Sequence, residues 1–170
     1  MKALIIFGST TSNTATAAEK ISTSLNNKNI ETKLLNATEV ISQDDFANFD
    51  LILFGSSTWG LGELQDDWFN INFLKDLNLD RKYIAFFGTG DQHGFSDTFI
   101  DALGILYNDV KDSGATLVGK WSTANYEFDD SVALLDDTNF VGLALDEENQ
   151  AELTDERIEQ WTNQIIQEIK

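Results

Sequence analysis

Three runs of this chain are apolar throughout instead of alternating: Ala3–Phe7, Leu51–Phe54 and Tyr83–Phe87. A strand with one wet face alternates; a continuous apolar run predicts a strand covered on both faces, as in a parallel sheet. Shorter or interrupted strand candidates are Thr32–Leu35, Thr116–Val118 and Val141–Leu145. Between them lie helical patterns. Ala17, Ala18, Ile21 and Leu25 share one face, as do Phe99, Leu103, Leu106 and Val110, and again Ile158, Trp161, Ile165 and Ile169. Thr154, followed by Asp155 and Glu156, signals the start of the last helix. Strand and helix alternate about five times, which predicts a single doubly wound α/β domain over residues 1–170. Gly119 to Asn139 breaks the rhythm, with about twenty residues that lack helical periodicity. A fifth strand split by an inserted loop, about 119–139, accounts for it.

Composition narrows the chemistry. The 170 residues, 42% of them hydrophobic, suffice for one domain with a substantial core. There is no cysteine, which excludes disulfides, iron–sulfur ligation and thiol nucleophiles. The single histidine, His93, leaves no basis for a His-based zinc site or triad. Any redox chemistry must therefore reside in an organic cofactor. No stretch approaches the roughly 18 apolar residues of a membrane span, and the N-terminus lacks a signal-peptide layout, so a cytoplasmic location is expected. With 29 acidic and 11 basic residues the net charge is −18. That field repels nucleic acid and anionic membrane and steers basic protein partners.

Three loops stand where strands end, the place where open α/β sheets bind ligands. The first is Gly8-Ser9-Thr10-Thr11-Ser12-Asn13-Thr14, entering an alanine-rich helix. Its hydroxyls and backbone N–H groups, with the helix dipole, favour an anion. It has no Lys or Arg, so it is not the phosphate loop of an NTPase, and a cofactor phosphate that stays bound suits it better. The competing reading is an ordinary turn with an Asn or Thr cap. The second loop runs from Ser56 through Trp59 to Trp68, and the third from Gly88 through Asp91 to Phe95. Trp59 and Phe95 sit at exposed addresses where large aromatics are costly unless they cover something. Together they suit a flat ring held between them. Trp68 is expected to pack beneath the helix it begins, and His93 to be an exposed loop side chain.

The hydroxyl turn, Thr58-Trp59 with Gly62-Glu63-Leu64-Gln65, Gly88-Thr89-Gly90-Asp91-Gln92, Trp121-Ser122-Thr123 and Gly142-Leu143-Ala144-Leu145-Asp146 together resemble the flavodoxins, specifically their long-chain branch of cyanobacterial and algal type. The resemblance spans essentially the whole chain. It implies a five-stranded parallel sheet of order 2-1-3-4-5 with helices on both faces. It also implies noncovalently bound FMN, and a low-potential one-electron carrier, not an enzyme, that shuttles between semiquinone and hydroquinone. The FMN phosphate would be held by Ser9, Thr10, Thr11, Ser12, Asn13 and Thr14. The ring would meet Ser57, Thr58, Trp59 and Gly60 on one side and Thr89, Gly90, Asp91 and Phe95 on the other. Trp59 would stack on one face and Phe95 on the other, Asp91 would meet the pyrimidine edge, and Asp146 would lie near the ribityl chain. Gly60 would offer the carbonyl that turns toward the flavin on reduction.

Two positions depart from the family pattern. Phe95 stands where Tyr is usual, and Ser12 where Gly is usual; if that residue takes φ > 0, Ser carries strain of order 1 kcal/mol. Acidic residues, Glu63, Asp66, Asp67, Asp91 and Asp146, are expected near the ring, where each would oppose the second electron. Implied partners are basic redox proteins such as a flavodoxin/ferredoxin–NADP reductase and photosystem I, met by a monomer. The alternative is an FMN-dependent NAD(P)H:quinone oxidoreductase on the same fold. A receiver domain would need acids where Gly8 and Ser9 stand, and a low-molecular-weight phosphatase would need a cysteine.

Overall fold

In the computed structural model, which describes residues 1–169, the central strand β1 (Lys2–Gly8) is parallel to two neighbours, β2 (Glu31–Asn36) and β3 (Leu51–Trp59). Ala3 pairs with Thr32 on one side and Leu51 on the other. β3 is parallel in turn to β5 (Tyr83–Thr89), with Leu51 opposite Tyr83. The last strand of the sheet comes in two pieces. β6 (Thr116–Leu117) pairs with the start of β5, and β10 (Leu143–Leu145) with its end at Phe87–Thr89. The order β2-β1-β3-β5-β10 is the expected 2-1-3-4-5, with the fifth strand split.

Continuous apolar runs follow from this layering. Leu4, Ile6, Ile52, Phe54, Ile84 and Phe86 face one core, whereas Ala3, Ile5, Leu51, Leu53, Ala85 and Phe87 face the other. Neither set can be polar, so alternation disappears. Helices α1 (Asn13–Asn27) and α3 (Thr154–Glu168) cover the second face with Ile21, Leu25, Ile158, Trp161 and Ile165. Helix α2 (Asp101–Val110) covers part of the first through Leu103, Leu106 and Val110.

The helical layer on that face is thinner than five alternations imply. Between β2 and β5 the connections use short 3₁₀ turns, Gln43–Phe46, Asp66–Asn70 and Leu74–Asp76, instead of full helices. Asn70, Ile71, Asn72 and Phe73 are poor helix formers, and large buried rings fill the layer in place of a helix. Trp68 is fully buried there and donates its Nε1–H to Gly55 O at 3.1 Å. Thr154 is the first residue inside α3 and not its cap; its hydroxyl donates to Glu147 Oε1.

Between β6 and β10 lies a three-stranded antiparallel sheet: β7 (Trp121–Ser122), β9 (Asn139–Phe140) and β8 (Leu134–Asp136). Tyr126 pins this excursion to the main sheet. Its hydroxyl donates to Ala144 O at 2.6 Å and accepts from Trp121 Nε1 at 2.8 Å, while the Arg157 guanidinium lies 4.4 Å from its ring centroid. Burial pushes the Tyr126 phenol up to about 12.

Candidate functional site

β1 ends at Gly8 because the chain there passes under the next loop; a Cβ on Gly8 would stand 2.1 Å from Gln65 Oε1 and 2.9 Å from the Trp68 indole. The hydroxyl turn follows. Ser9 N–H donates to Asp67 Oδ2 at 3.2 Å, and Gln65 Nε2 donates to Thr10 Oγ1 at 3.1 Å. Ser9 Oγ accepts from Ala15 N–H at 3.3 Å, and Thr14 Oγ1 meets Thr89 Oγ1 at 3.2 Å. Ser12 takes φ 71°, ψ −8°, the left-handed region, and its side chain caps nothing. Among the described residues the N–H groups from Thr10 to Thr14 meet no acceptor. The ordinary-cap reading therefore fails. The start of α1 is a cluster of free donors at the positive end of a helix dipole.

A cleft of about 280 Å³ runs from this turn across the carboxyl ends of β3, β5 and β10. Thr11 and Asn13 line it at the turn. Ser57, Thr58, Trp59 and Gly60 form one wall, and Thr89, Gly90, Asp91 and Phe95 another. Ser9, Thr10, Ser12 and Thr14 belong to the turn but do not line the cleft. Trp59 is 39% exposed and Phe95 53% exposed, and the two rings make no contact with each other. Trp59 sits on a hairpin in which β3 turns back onto β4 (Glu63–Leu64), and its Nε1–H donates to Ser57 Oγ at 2.6 Å. Gly60 closes that hairpin at φ 52°, where a Cβ would come within 2.7 Å of Glu63 Oε2.

The acids are arranged differently from the sequence expectation. Asp67 stands at the hydroxyl turn, accepting from Ser9 N–H and from Asn36 Nδ2, and not at the aromatic end. Asp146 is fully buried and outside the cleft lining. Its carboxylate is surrounded by the N–H groups of Gln92, Glu148 and Asn149, so it is committed to the protein and not presented to a ligand. Asp91 lines the cleft while turning its own loop: the Gly94 N–H first, then the Asn149 amide and the His93 N–H, hold its carboxyl below the usual range. The acids that join it are Glu147 and Glu148, which the sequence reading missed. They lie two and three residues past the end of β10, and the rule that sites gather at carboxyl ends of strands was the signal available. His93 is exposed but engaged, with Nδ1 3.1 Å from Asn149 Oδ1 and Nε2 3.4 Å from Glu127 Oε2. Gln65, whose amide braces the hydroxyl turn, was also missed as a supporting residue.

A parallel sheet of this order, with its cleft where the strand order reverses, defines a flavodoxin-like doubly wound α/β protein. Sequence and structure comparisons agree. The flavodoxin family model matches residues 5–161. The chain is 42% identical to a flavodoxin of Trichodesmium erythraeum, covering 95% of this chain and 94% of that one. It is 40% identical to flavodoxin 1 of Escherichia coli, over 97% and 93% of the two chains. The solved Fusobacterium nucleatum flavodoxin bound to flavin mononucleotide superposes with a TM-score of 0.90 at 28% identity, covering 99% of each chain. The chain belongs to the flavodoxin family, in its long-chain form.

Proposed function

We propose that this protein is a one-electron carrier that binds FMN in the cleft and delivers electrons to redox partner proteins. The observation that carries this reading is the continuity of one cleft, from unpaired N–H donors at a helix N-terminus to two exposed, unstacked aromatic rings. That donor set fits a phosphate at one end and a planar ring at the other. The N–H groups of Thr10 to Thr14, with the hydroxyls of Ser9, Thr11 and Thr14, would hold the phosphate. Trp59 and Phe95 would cover the ring and exclude water from it, while Ser57, Thr58, Gly60, Thr89, Gly90 and Asp91 frame its polar edges. Bound FMN would supply the electron chemistry that a chain without cysteine lacks.

Three features of the chain shape that chemistry. Gly60 carries no Cβ, so the peptide beside Trp59 can reorient at small cost. Glu147, Glu148 and Asp91 at the cleft place negative charge where added electrons would be repelled, which lowers the potential. The net charge of −18 favours basic partners, with a flavodoxin/ferredoxin–NADP reductase and photosystem I as the specific proposals. No described helix is long and apolar enough to cross a membrane, and we place the protein in the cytoplasm as a monomer.

Purified protein should show flavin absorption bands, or acquire them when apoprotein is mixed with FMN, with Trp59 quenching flavin fluorescence. NADPH and a quinone added to the purified protein alone should give no turnover. Absence of FMN binding, or rapid unaided turnover, overturns the proposal.

A further inference from the structure

Phe95 covers one wall of the cleft, yet its ring is 53% exposed and packs against no other aromatic side chain. Its position must come from its backbone, and the loop Gly90–Phe95 is held from behind. Gln92 is 1% exposed and commits its backbone N–H and both polar atoms of its side chain to neighbouring segments. Its backbone N–H and its Nε2 both donate to Asp146 Oδ2, at 3.1 and 2.8 Å. Its Oε1 accepts from Glu127 N–H at 2.6 Å.

Asp146 is the other half of the device. Its Oδ1 accepts from the N–H groups of Glu148 and Asn149, which shapes the turn that carries Glu147 and Glu148 to the cleft. Asn149 Nδ2 returns to Asp91 Oδ1 at 2.8 Å. One buried amide therefore ties together the loop with Asp91 and Phe95, the turn with Glu147 and Glu148, and the excursion between β6 and β10 at Glu127. The hydroxyl turn at the other end of the cleft shares none of these bonds.

We propose that Gln92 is a positioning residue for the ring end of the cleft, fixing through Asp146 the loop that carries Phe95. Gln92 does not itself line the cleft. The proposal rests on the FMN reading above, and its consequences are confined to one end of the ligand. Removing the amide takes one donor from the Asp146 carboxylate, which keeps the Gln92 N–H and the Asn149 amide, and leaves the Glu127 N–H without an acceptor, which loosens the loop.

The test uses full-length apoprotein with three probes: FMN, riboflavin and inorganic phosphate. Gln92→Met should weaken FMN and riboflavin alike, by about tenfold, the scale of one buried hydrogen-bond partner lost. The thermal shift given by inorganic phosphate should be unchanged. In a Phe95→Ala background the same substitution should cost no more than about twofold, because the residue it positions is gone. Gln92→Asn, one methylene too short to bridge both partners, gives the same pattern should Gln92→Met fail to fold. FMN affinity within twofold of wild type, an equal loss of phosphate binding, or full additivity with Phe95→Ala overturns the proposal. Failure of the wild type to bind FMN overturns the underlying reading instead, and the two failures are distinguishable.

Discussion

Ser12 offers a direct measure of strain in the hydroxyl turn. At φ 71°, ψ −8° its Cβ is crowded against its own backbone, and its hydroxyl makes no capping bond that would offset this. A non-glycine residue held in this region costs on the order of 1–3 kcal/mol, with small polar residues toward the low end. Glycine removes that cost but makes the unfolded chain freer, a penalty of about 0.5–1 kcal/mol. The net expectation for Ser12→Gly is a gain of about 0.5–1 kcal/mol, or roughly 1–4 °C in Tm for a domain of this size.

The gain should appear in the apoprotein, measured by urea unfolding followed by circular dichroism, because the strain lies in the backbone of the turn itself. FMN affinity should then stay within about twofold, since the strain is present before and after binding. Ser12→Ala is the control and should move stability by less than about 0.5 kcal/mol, because the hydroxyl is unused. A different outcome has a different meaning. If the turn reached φ > 0 only around a phosphate, Ser12→Gly would leave apoprotein stability unchanged and tighten FMN by about two- to fivefold. A loss of apoprotein stability with unchanged FMN affinity would refute the strain argument altogether.

Phe95→Tyr keeps the aromatic face and should hold FMN affinity within about threefold, whereas Phe95→Ala should weaken it by about tenfold in a fluorescence titration. Replacing Glu147 and Glu148 together by Gln should raise the second reduction potential in a spectroelectrochemical titration. A unit charge about 10 Å from a redox centre contributes roughly 0.4 kcal/mol in water, so the pair is expected to give about 35 mV, and Asp67→Asn much less. Tyr126→Phe strands Ala144 O and the Trp121 Nε1–H and should cost about 1–3 kcal/mol in urea unfolding, with a retained fold. Burial raises the Asp101 carboxyl above its usual range. The folded state therefore binds that proton more tightly than the unfolded chain, and the stabilisation is full below the unfolded pKa and lost as pH rises through the folded one. Asp101→Asn keeps an oxygen for the Val132 N–H and should flatten the stability–pH curve over that window, as seen by unfolding at a series of pH values.

The parts of the fold visible in sequence are those where one residue type answers one physical demand. Phe54 and Leu53 point to opposite cores, so both had to be apolar, and the strand was unmistakable. Trp59 and Phe95 were legible for the converse reason, as large aromatics on Gly-rich loops that the core leaves partly exposed. What could not be read was direction. Asp67 and Asp146 look like Glu147 and Glu148 in sequence, yet the first braces the hydroxyl turn, the second is buried, and only the last two reach the cleft. A carboxylate's role depends on which N–H groups surround it, and those come from residues as distant as Ser9 for Asp67 and Gln92 for Asp146. The missing helices between β2 and β5 have a similar cause, because tertiary packing of rings such as Trp68 and Phe46 fills that layer without helical periodicity.

The division of labour between the two ends of the cleft also explains the absence of Lys and Arg from the hydroxyl turn. A phosphate can be held by dipoles whose field falls off within the first helical turn, whereas a lysine's full charge would extend along the cleft. Such a charge would stabilise an added electron and so oppose Asp91, Glu147 and Glu148 at the other end. Asp67 makes the point sharper. It places a carboxylate against Ser9 N–H, so the turn gains rigidity from an anion without gaining a cation. Introducing Lys at Asn13, which lines the cleft at the turn, should therefore tighten the phosphate end and raise the reduction potential in the same protein. Tighter binding with an unchanged potential would mean that the neutral turn serves affinity alone.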